Sequence, residues 1–251
     1  VDALLKDIVP TAVELTFCNT NVKSLAALAE KVLAKYADVE KDALRINFCF
    51  DPIMRNLSEK GEFCCGTGDE CFDTIAKFIK ATAEYKHVRV VNVAGALFSN
   101  AGSTIVEELG FTLAAAHEYI VKLMDRGLSI DEVARKIRFT FAVTSNYFLE
   151  MAKFRAARLL WANIVKAYNP EKNCSCKMRA HAVTSTWNQT VYDPYVNMLR
   201  GTTEAMSAAI AGVHSLEVLP FDYAFEVPTE FSKRIARNTQ LLLKHESHFD
   251  Q

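Results

Sequence analysis

Few side chains here have a type and spacing that could do chemistry, and each has a plainer reading beside it. His181 lies in a β-rich run, Met178–Thr184. An imidazole at a strand end can hold a ligand, but it is more simply a buried histidine kept in place by a hydrogen bond. His87, His117, His214, His245 and His248 lack the helical i, i+4 pairing of a zinc site and read as surface residues. Arg234 and Arg237 stand three apart on a helical segment. A guanidinium fork is best matched by a carboxylate, so Asp222 and nearby strand-end carbonyls are the expected partners. Arg155 and Arg158, with Glu150 and Lys153 nearby, read as the solvated charged face of a long helix rather than a subunit contact.

Seven cysteines stand at positions 18, 49, 64, 65, 71, 174 and 176. The odd number, and placements such as Phe48-Cys49-Phe50, fit free thiols in a reducing cytoplasm. Cys64, Cys65, Cys71, Cys174 and Cys176 invite a metal reading, but their spacing follows none of the usual zinc patterns, so no metal is expected. The glycines of Ser58–Asp69 suggest a phosphate cradle. The stretch lacks the Lys-Ser/Thr ending of a P-loop and the strand–GxGxxG–helix context of a dinucleotide site, so it reads as an exposed connection. Asn169–Lys177 reads as a second such connection.

Composition bounds the rest. The chain has 251 residues, half of them hydrophobic, and a formal net charge of −1. That balance gives no basic face for nucleic acid. No apolar run reaches the roughly 18 residues needed to span a bilayer, and no signal peptide opens the chain. A soluble, cytoplasmic protein is expected. The chain begins at Val1 and enters a helical pattern at Asp2-Ala3-Leu4-Leu5-Lys6, which reads as a piece of a longer protein.

The elements that must position these residues alternate strand and helix. β-rich runs fall at Val13–Cys18, Arg45–Phe50, Val88–Ala94, Ile137–Val143, Met178–Thr184 and Ser215–Pro220. Between them, Val22, Leu25, Leu28, Val32 and Leu33 share a helical face, as do Phe72, Ile75, Ala76 and Ile79. Further helices are expected over 104–125, 147–168, 194–212 and 228–245, with Ser129-Ile130-Asp131-Glu132 a capping-box start to a short one. The stripe of the 147–168 helix runs through Phe148, Met151, Phe154, Ala157, Leu160 and Ile164. Such alternation implies an α/β fold with parallel strands and right-handed crossovers. Periodicity leaves an open doubly wound sheet and a closed barrel both available, and shows six units where an eight-fold barrel has eight.

Longer motifs carry a resemblance. Phe148–Ala162 is similar to the barrel helix NFFMEVAKLRAARMLWA of the adenosylcobalamin-dependent methylmalonyl-CoA mutases. Ser129–Ala134 resembles the segment before it. Met178–Gln240, with Trp187, Asp193-Pro194-Tyr195 and the run RIARNTQ, resembles the end of the same acyl-CoA-binding barrel. The motifs keep their order and spacing from residue 129 to residue 240; the first 85 residues match more weakly. The resemblance implies a TIM (β/α)8-type barrel, here incomplete, with about six of the eight βα units in a single domain over residues 1–251. The first two strands and the C-terminal cobalamin domain, whose DxHxxG motif is absent, would lie outside this chain.

The resemblance also marks positions where the family's polar groups are missing. Catalytic relatives read GYHMQEAG after the strand matching Val91–Ala94; here Gly95, Ala101 and Gly102 remain, but the tyrosine is Ala96 and the thioester-binding histidine is Leu97. In the stretch matching RxHxQTSGW, His181 survives and the cofactor-facing glutamine is Val183. In the stretch matching SLHTNSFDE, the asparagine is Leu219 and the acid near the adenosyl ribose is Tyr223. The substrate-binding arginine has no secure counterpart, Asp73 falling near its place. Leucine cannot polarise a carbonyl. The pattern resembles the non-catalytic small subunit of the heterodimeric mutases. It implies no catalytic residues here, no cofactor bound by this chain alone, adenosylcobalamin in the assembly, and a catalytic large subunit as partner. An active mutase of altered substrate range and a CoA-ester-binding module without chemistry are the competing readings. Inward-pointing rings among Phe48, Phe50, Phe139 and Phe141 would fill the barrel axis. Open edges at the first and last strands imply self-association, or cover by the N-terminal helix.

Overall fold

The computed structural model describes residues 2–18, 22–58 and 68–249. They fall into two compact units. The first comprises Val1–Val93, Ala115–Arg138 and Ile164–Lys177; the second comprises Ala94–Ala114, Phe139–Asn163 and Met178–Gln251. Along the chain the elements are β1 (Leu15–Phe17), α1 (Val22–Lys35), β2 (Ile46–Phe50), α2 (Pro52–Ser58), α3 (Gly68–Ala81), β3 (Val88–Ala94), α4 (Ala96–Asn100) and α5 (Ile105–Met124). There follow α6 (Ile130–Ala134), β4 (Ile137–Val143), α7 (Tyr147–Lys166), a 3-10 turn (Asn173–Cys176), β5 (Ala180–Thr184), α8 (Val196–Ile210), β6 (Ser215–Glu217) and α9 (Glu230–His245).

The strands are ordered β1-β2-β3-β4-β5-β6. The pairs β1/β2, β2/β3, β4/β5 and β5/β6 are parallel. A doubly wound sheet reverses its strand order at a switch point, whereas a (β/α)8 barrel adds each strand beside the last. The uninterrupted order decides between the two: this is an α/β fold of TIM-barrel type, with six of the eight βα units among the described residues. β3 and β4 occupy the residues that the β-rich runs predict, while β1 and β6 are cut to three residues each. The opening residues differ from expectation. Residues 2–7 form turns instead of a helix, and Asp7 sits at a positive φ of 62°, which a helix does not admit.

In the first unit, the side chains of β2 alternate between two faces. Phe48 and Phe50 both meet Phe78 of α3, at centroid distances of 5.3 and 5.6 Å, and Phe17 stacks on Phe48 at 5.7 Å. Leu25, Ala29 and Val32 of α1 and Ile75 and Ile79 of α3 complete this buried layer. On the other face, Asn47 donates to Glu14 Oε1 (2.7 Å) and Thr16 Oγ1 (3.1 Å). The second unit repeats the scheme. Phe139 packs edge-on to Trp161 (4.9 Å) and Phe141 to Phe154 (5.8 Å), both on α7. All four strand phenylalanines therefore face helices, and none lies on the helix-free face. This overturns the expectation of an axis filled by inward rings. In β4 and β5 the helix-free face instead carries Thr140, His181 and Val183, with Ser215 opposite His181 and Glu217 opposite Val183.

The capping box at α6 forms as its motif predicts, Ser129 N donating to Glu132 Oε2 (2.8 Å) and Glu132 N to Ser129 Oγ (3.3 Å). The same reciprocal pair, Thr104 with Glu107, starts α5.

Candidate functional site

The positions singled out by the resemblance lie at the strand exits of the second unit. β3 leads through Gly95 into α4. A Cβ on Gly95 would stand 2.1 Å from Thr112 Oγ1, so any other residue must push α5 away. Thr112 cannot simply rotate, because it is buried and its hydroxyl donates to the Glu108 carbonyl (2.6 Å). Gly102 closes the turn at φ 101°, and a Cβ there would meet the Trp187 ring at 3.1 Å. These glycines have structural work whether or not the turn contacts a ligand. Between them Ala96 is buried and Leu97 is 44% exposed. Neither side chain can donate a hydrogen bond.

Asn100, at the end of α4, ties this turn to the exit of β5. Its Oδ1 accepts from Ser185 Oγ (3.3 Å) and Thr186 N (3.1 Å). Thr184 Oγ1 in turn accepts from Leu219 N (2.9 Å), which fixes the exit of β6. Val183 and Leu219 are half-buried, and Tyr223 is exposed. His181 is the second residue of β5, not one at its C-terminal end. Its Nδ1 lies 2.9 Å from Ser215 Oγ and its Nε2 3.7 Å from a Glu217 oxygen. The structure thus gathers Ala96 and Leu97 in one turn, and couples the exits that hold Val183 and Leu219. His181 stands two residues before Val183 on the same strand face.

Two expected pairings are absent among the described residues. Asp222 is buried, and its carboxylate accepts from Thr229 N (3.3 Å) and Thr229 Oγ1 (3.4 Å), not from an arginine. Arg234 and Arg237 are exposed, and the Arg234 guanidinium lies over the Phe231 ring at 5.7 Å. The register of α9 explains this, because Ser232, Ala236 and Leu243 take its buried side. Cys64, Cys65 and most of Ser58–Asp69 lie outside the described residues. Among the described residues no group of His, Cys, Asp and Glu side chains could hold a metal ion, and no helix is long and apolar enough to cross a membrane.

The charged residues of α7 overturn another expectation. Glu150 and Lys153 do not form a solvated face; both are buried. Lys153 Nζ lies 2.6 Å from Glu108 Oε2 on α5, 2.6 Å from Glu150 Oε2 and 2.6 Å from the Ala142 carbonyl. Glu108 Oε1 accepts from Ala142 N (2.8 Å), and Glu150 Oε1 from Thr144 N (3.0 Å) and Thr144 Oγ1 (2.7 Å). Glu108 and Lys153 thereby satisfy both backbone groups of Ala142 at the end of β4, and Glu150 satisfies the Thr144 amide, where unpaired groups would be costly. Burial pushes the Glu108 carboxyl above its usual range. Glu204 on α8 is also buried, receiving Ser185 N (3.2 Å) and a short hydrogen bond from Asn188 Nδ2. Burial, with Glu150's charge adding to it, pushes Glu204 up to about 7.

Arg158 is half-buried and donates to the Ala211 (2.9 Å) and Gly212 (2.6 Å) carbonyls, leaving Arg155 as the exposed member of the expected charged face. The buried stripe of α7 is Glu150, Lys153, Phe154, Ala157, Trp161 and Val165, while Phe148 and Leu160 face outward. Sequence reasoning missed Glu108, and Glu150 and Lys153 were assigned to solvent. The available signal was their spacing: Glu150, Phe154, Ala157 and Trp161 follow an i, i+4, i+7, i+11 series.

Comparison with known proteins places the whole chain in one group. The model of the family described as methylmalonyl-CoA mutase matches residues 1–251. The methylmalonyl-CoA mutase small subunit of Porphyromonas gingivalis is 44% identical over 99% of this chain and 40% of its own length. The small subunit of Streptomyces virginiae is 34% identical over 99% of this chain and 38% of its own length. The large subunit of Streptomyces virginiae is 42% identical, but over 62% of this chain. The chain thus spans about two fifths of the length of the small subunits it resembles.

Proposed function

The chain belongs to the methylmalonyl-CoA mutase family, and on that premise we propose that it is the barrel portion of a small subunit that supports a catalytic large subunit. The enzyme so formed would interconvert methylmalonyl-CoA and succinyl-CoA, with the chemistry on the large subunit. The observation that carries this reading is the turn at Ala96 and Leu97. Its glycine frame is intact, but the side chain that should polarise a thioester carbonyl has no donor. The extent of the matches adds support, since the small subunits align along nearly the whole chain and the large subunit along less than two thirds of it.

Adenosylcobalamin chemistry belongs to the family, and the residues here do not fit a share in it. Val183 and Leu219 offer no side-chain donor or acceptor, and Tyr223 replaces an acid. No step is assigned through the cofactor on this chain. An active mutase of altered substrate range fits poorly for the same reason, because a new acyl group would still need its thioester held.

Coexpression of the full-length chain with its large subunit tests the proposal. Copurification as a stable pair is expected, with turnover unchanged when Ala96→Tyr and Leu97→His are introduced together. Turnover by the full-length chain alone, or a large subunit that is stable and fully active without it, would defeat the proposal. One observation favours a second reading, a CoA-ester-binding module without chemistry. The helix-free face of β4 and β5 is not occupied by the strand phenylalanines, and it carries polar groups. Titration of the full-length chain with methylmalonyl-CoA separates the readings: micromolar binding supports the module, and no binding supports the scaffold.

A further inference from the structure

Two thiols in the first unit are placed for redox chemistry that the proposed function does not use. The register of β1 and β2 pairs Phe17 with Phe48, so the next residues, Cys18 and Cys49, stand opposite each other. Both fall on the helix-free side, since Phe17 and Phe48 take the helix side. Neighbouring strands lie about 4.8 Å apart, inside the 4.4–6.8 Å Cα range of disulfides. The two Sγ atoms face each other at 2.7 Å and share a hydrogen bond.

The two sulfurs are not equivalent. Cys18 is exposed and Cys49 is half-buried, with the Arg138 guanidinium 3.9 Å from its sulfur. The hydrogen bond with Cys18, together with burial, holds the Cys49 thiol well above its ordinary range, so it remains protonated at neutral pH. Access sets the order of oxidation here, which makes the exposed sulfur the site of attack and the inner one its resolving partner. Each alternative partner is less well placed. Cys71 is buried on α3, and Cys174 and Cys176 lie in a short turn far along the chain.

We propose that Cys18 and Cys49 form a reversible peroxide-responsive pair, in which Cys18 is oxidised first and Cys49 closes a cross-strand disulfide. The Cys18 sulfur attacks a peroxide oxygen; the S–O bond forms, the O–O bond breaks and one water leaves. The Cys49 sulfur then attacks the sulfenic sulfur; the S–S bond forms, the S–O bond breaks and the thiol proton leaves with the hydroxide as a second water. Two thiols are oxidised and one hydrogen peroxide is reduced to two waters. A dithiol reductant reverses the bond by exchange.

The test uses the full-length protein, reduced, freed of reductant and treated with hydrogen peroxide. Remaining thiols are alkylated before peptide mass mapping. The expected result is a Cys18–Cys49 cross-linked peptide, two fewer titratable thiols, and restoration of both by dithiothreitol. Cys18→Ser should lose no thiols to the cross-link. Cys49→Ser should leave a Cys18 sulfenic acid that dimedone traps, and a normal circular dichroism spectrum of each variant separates chemistry from misfolding. Full alkylation of both cysteines after peroxide, or a Cys18 cross-link to Cys64, Cys65 or Cys71 instead, would overturn the proposal. So would equal dimedone labelling of Cys18 in the wild type and in Cys49→Ser.

Discussion

Helix α7 is fastened to β4 in two ways, one apolar and one ionic. Over one stretch Phe139 and Phe141 pack into Trp161 and Phe154, and burial of each ring contributes about 1.5–3 kcal/mol. Next to it, Lys153 sits between Glu108 and Glu150 and completes the backbone of Ala142. The apolar contact fails by leaving a cavity, at a cost set by how far the neighbouring rings can close it. The ionic contact fails by stranding a charge away from water when one member is removed. The comparison teaches that burial alone says little about fragility; what matters is whether the remaining partners are satisfied after a change.

The sharpest way to break this comparison is Lys153→Met. It leaves two buried carboxyl groups without their cation and should lower unfolding free energy by about 3–5 kcal/mol, measured by urea denaturation of the full-length protein. Combining it with Glu108→Gln and Glu150→Gln should recover much of that loss. A single-site cost under about 1 kcal/mol would mean that water reaches the cluster. Phe141→Ala should cost about 3–4 kcal/mol through cavity formation, with no partial rescue from the two glutamine changes.

Glu204 gives a pH signature of roughly 3 kcal/mol. Its folded value, about 7, lies above the ordinary carboxyl value of 4.5. Between these values the folded state holds a proton that the unfolded state has released, so stability falls as pH rises through this window. Glu204→Gln should flatten that slope in a pH series of denaturation curves. Lys136 acts with the opposite sign. It donates to the Thr82 (2.6 Å) and Tyr85 (2.8 Å) carbonyls, and burial lowers it to about 7 from 10.5. Above pH 7 the unfolded state holds the extra proton, so this group's contribution to stability recovers as pH rises towards 10.5. The smallest expected effect is Ser129→Ala, which removes one half of the α6 capping box. It should cost about 1 kcal/mol, read as a modest fall in thermal midpoint.

Much of the scaffold was legible before any coordinates. Val88–Ala94 and Ile137–Val143 are β-rich runs bounded by polar residues, and they became β3 and β4 unchanged. Ser129 with Glu132 announced a helix start because both donors of the box are local. α4 was missed because five residues are too few for helical periodicity, and Ser99-Asn100-Ala101-Gly102, which spans its end, reads as a loop. Asp222 was paired with the wrong partner: opposite charges attract in sequence reasoning, but Thr229 stood closer and the arginines pointed to solvent.

By itself, the sequence determined the strand–helix alternation, the family, the apolar composition of the core and the lack of side-chain donors at Ala96, Leu97, Val183 and Leu219. These are properties of residue type and order, and they need no coordinates. The tertiary structure alone decided which face of each strand the rings take. Alternation separates two faces without saying which meets the helices, and in a parallel sheet both faces can be apolar. It alone decided that Glu150 and Lys153 are buried, because their burial depends on Glu108, which lies more than 40 residues away and is brought near by packing of α5 and α7. It also set Cys18 opposite Cys49, since strand register follows from the pairing of backbones and not from either cysteine's own neighbours.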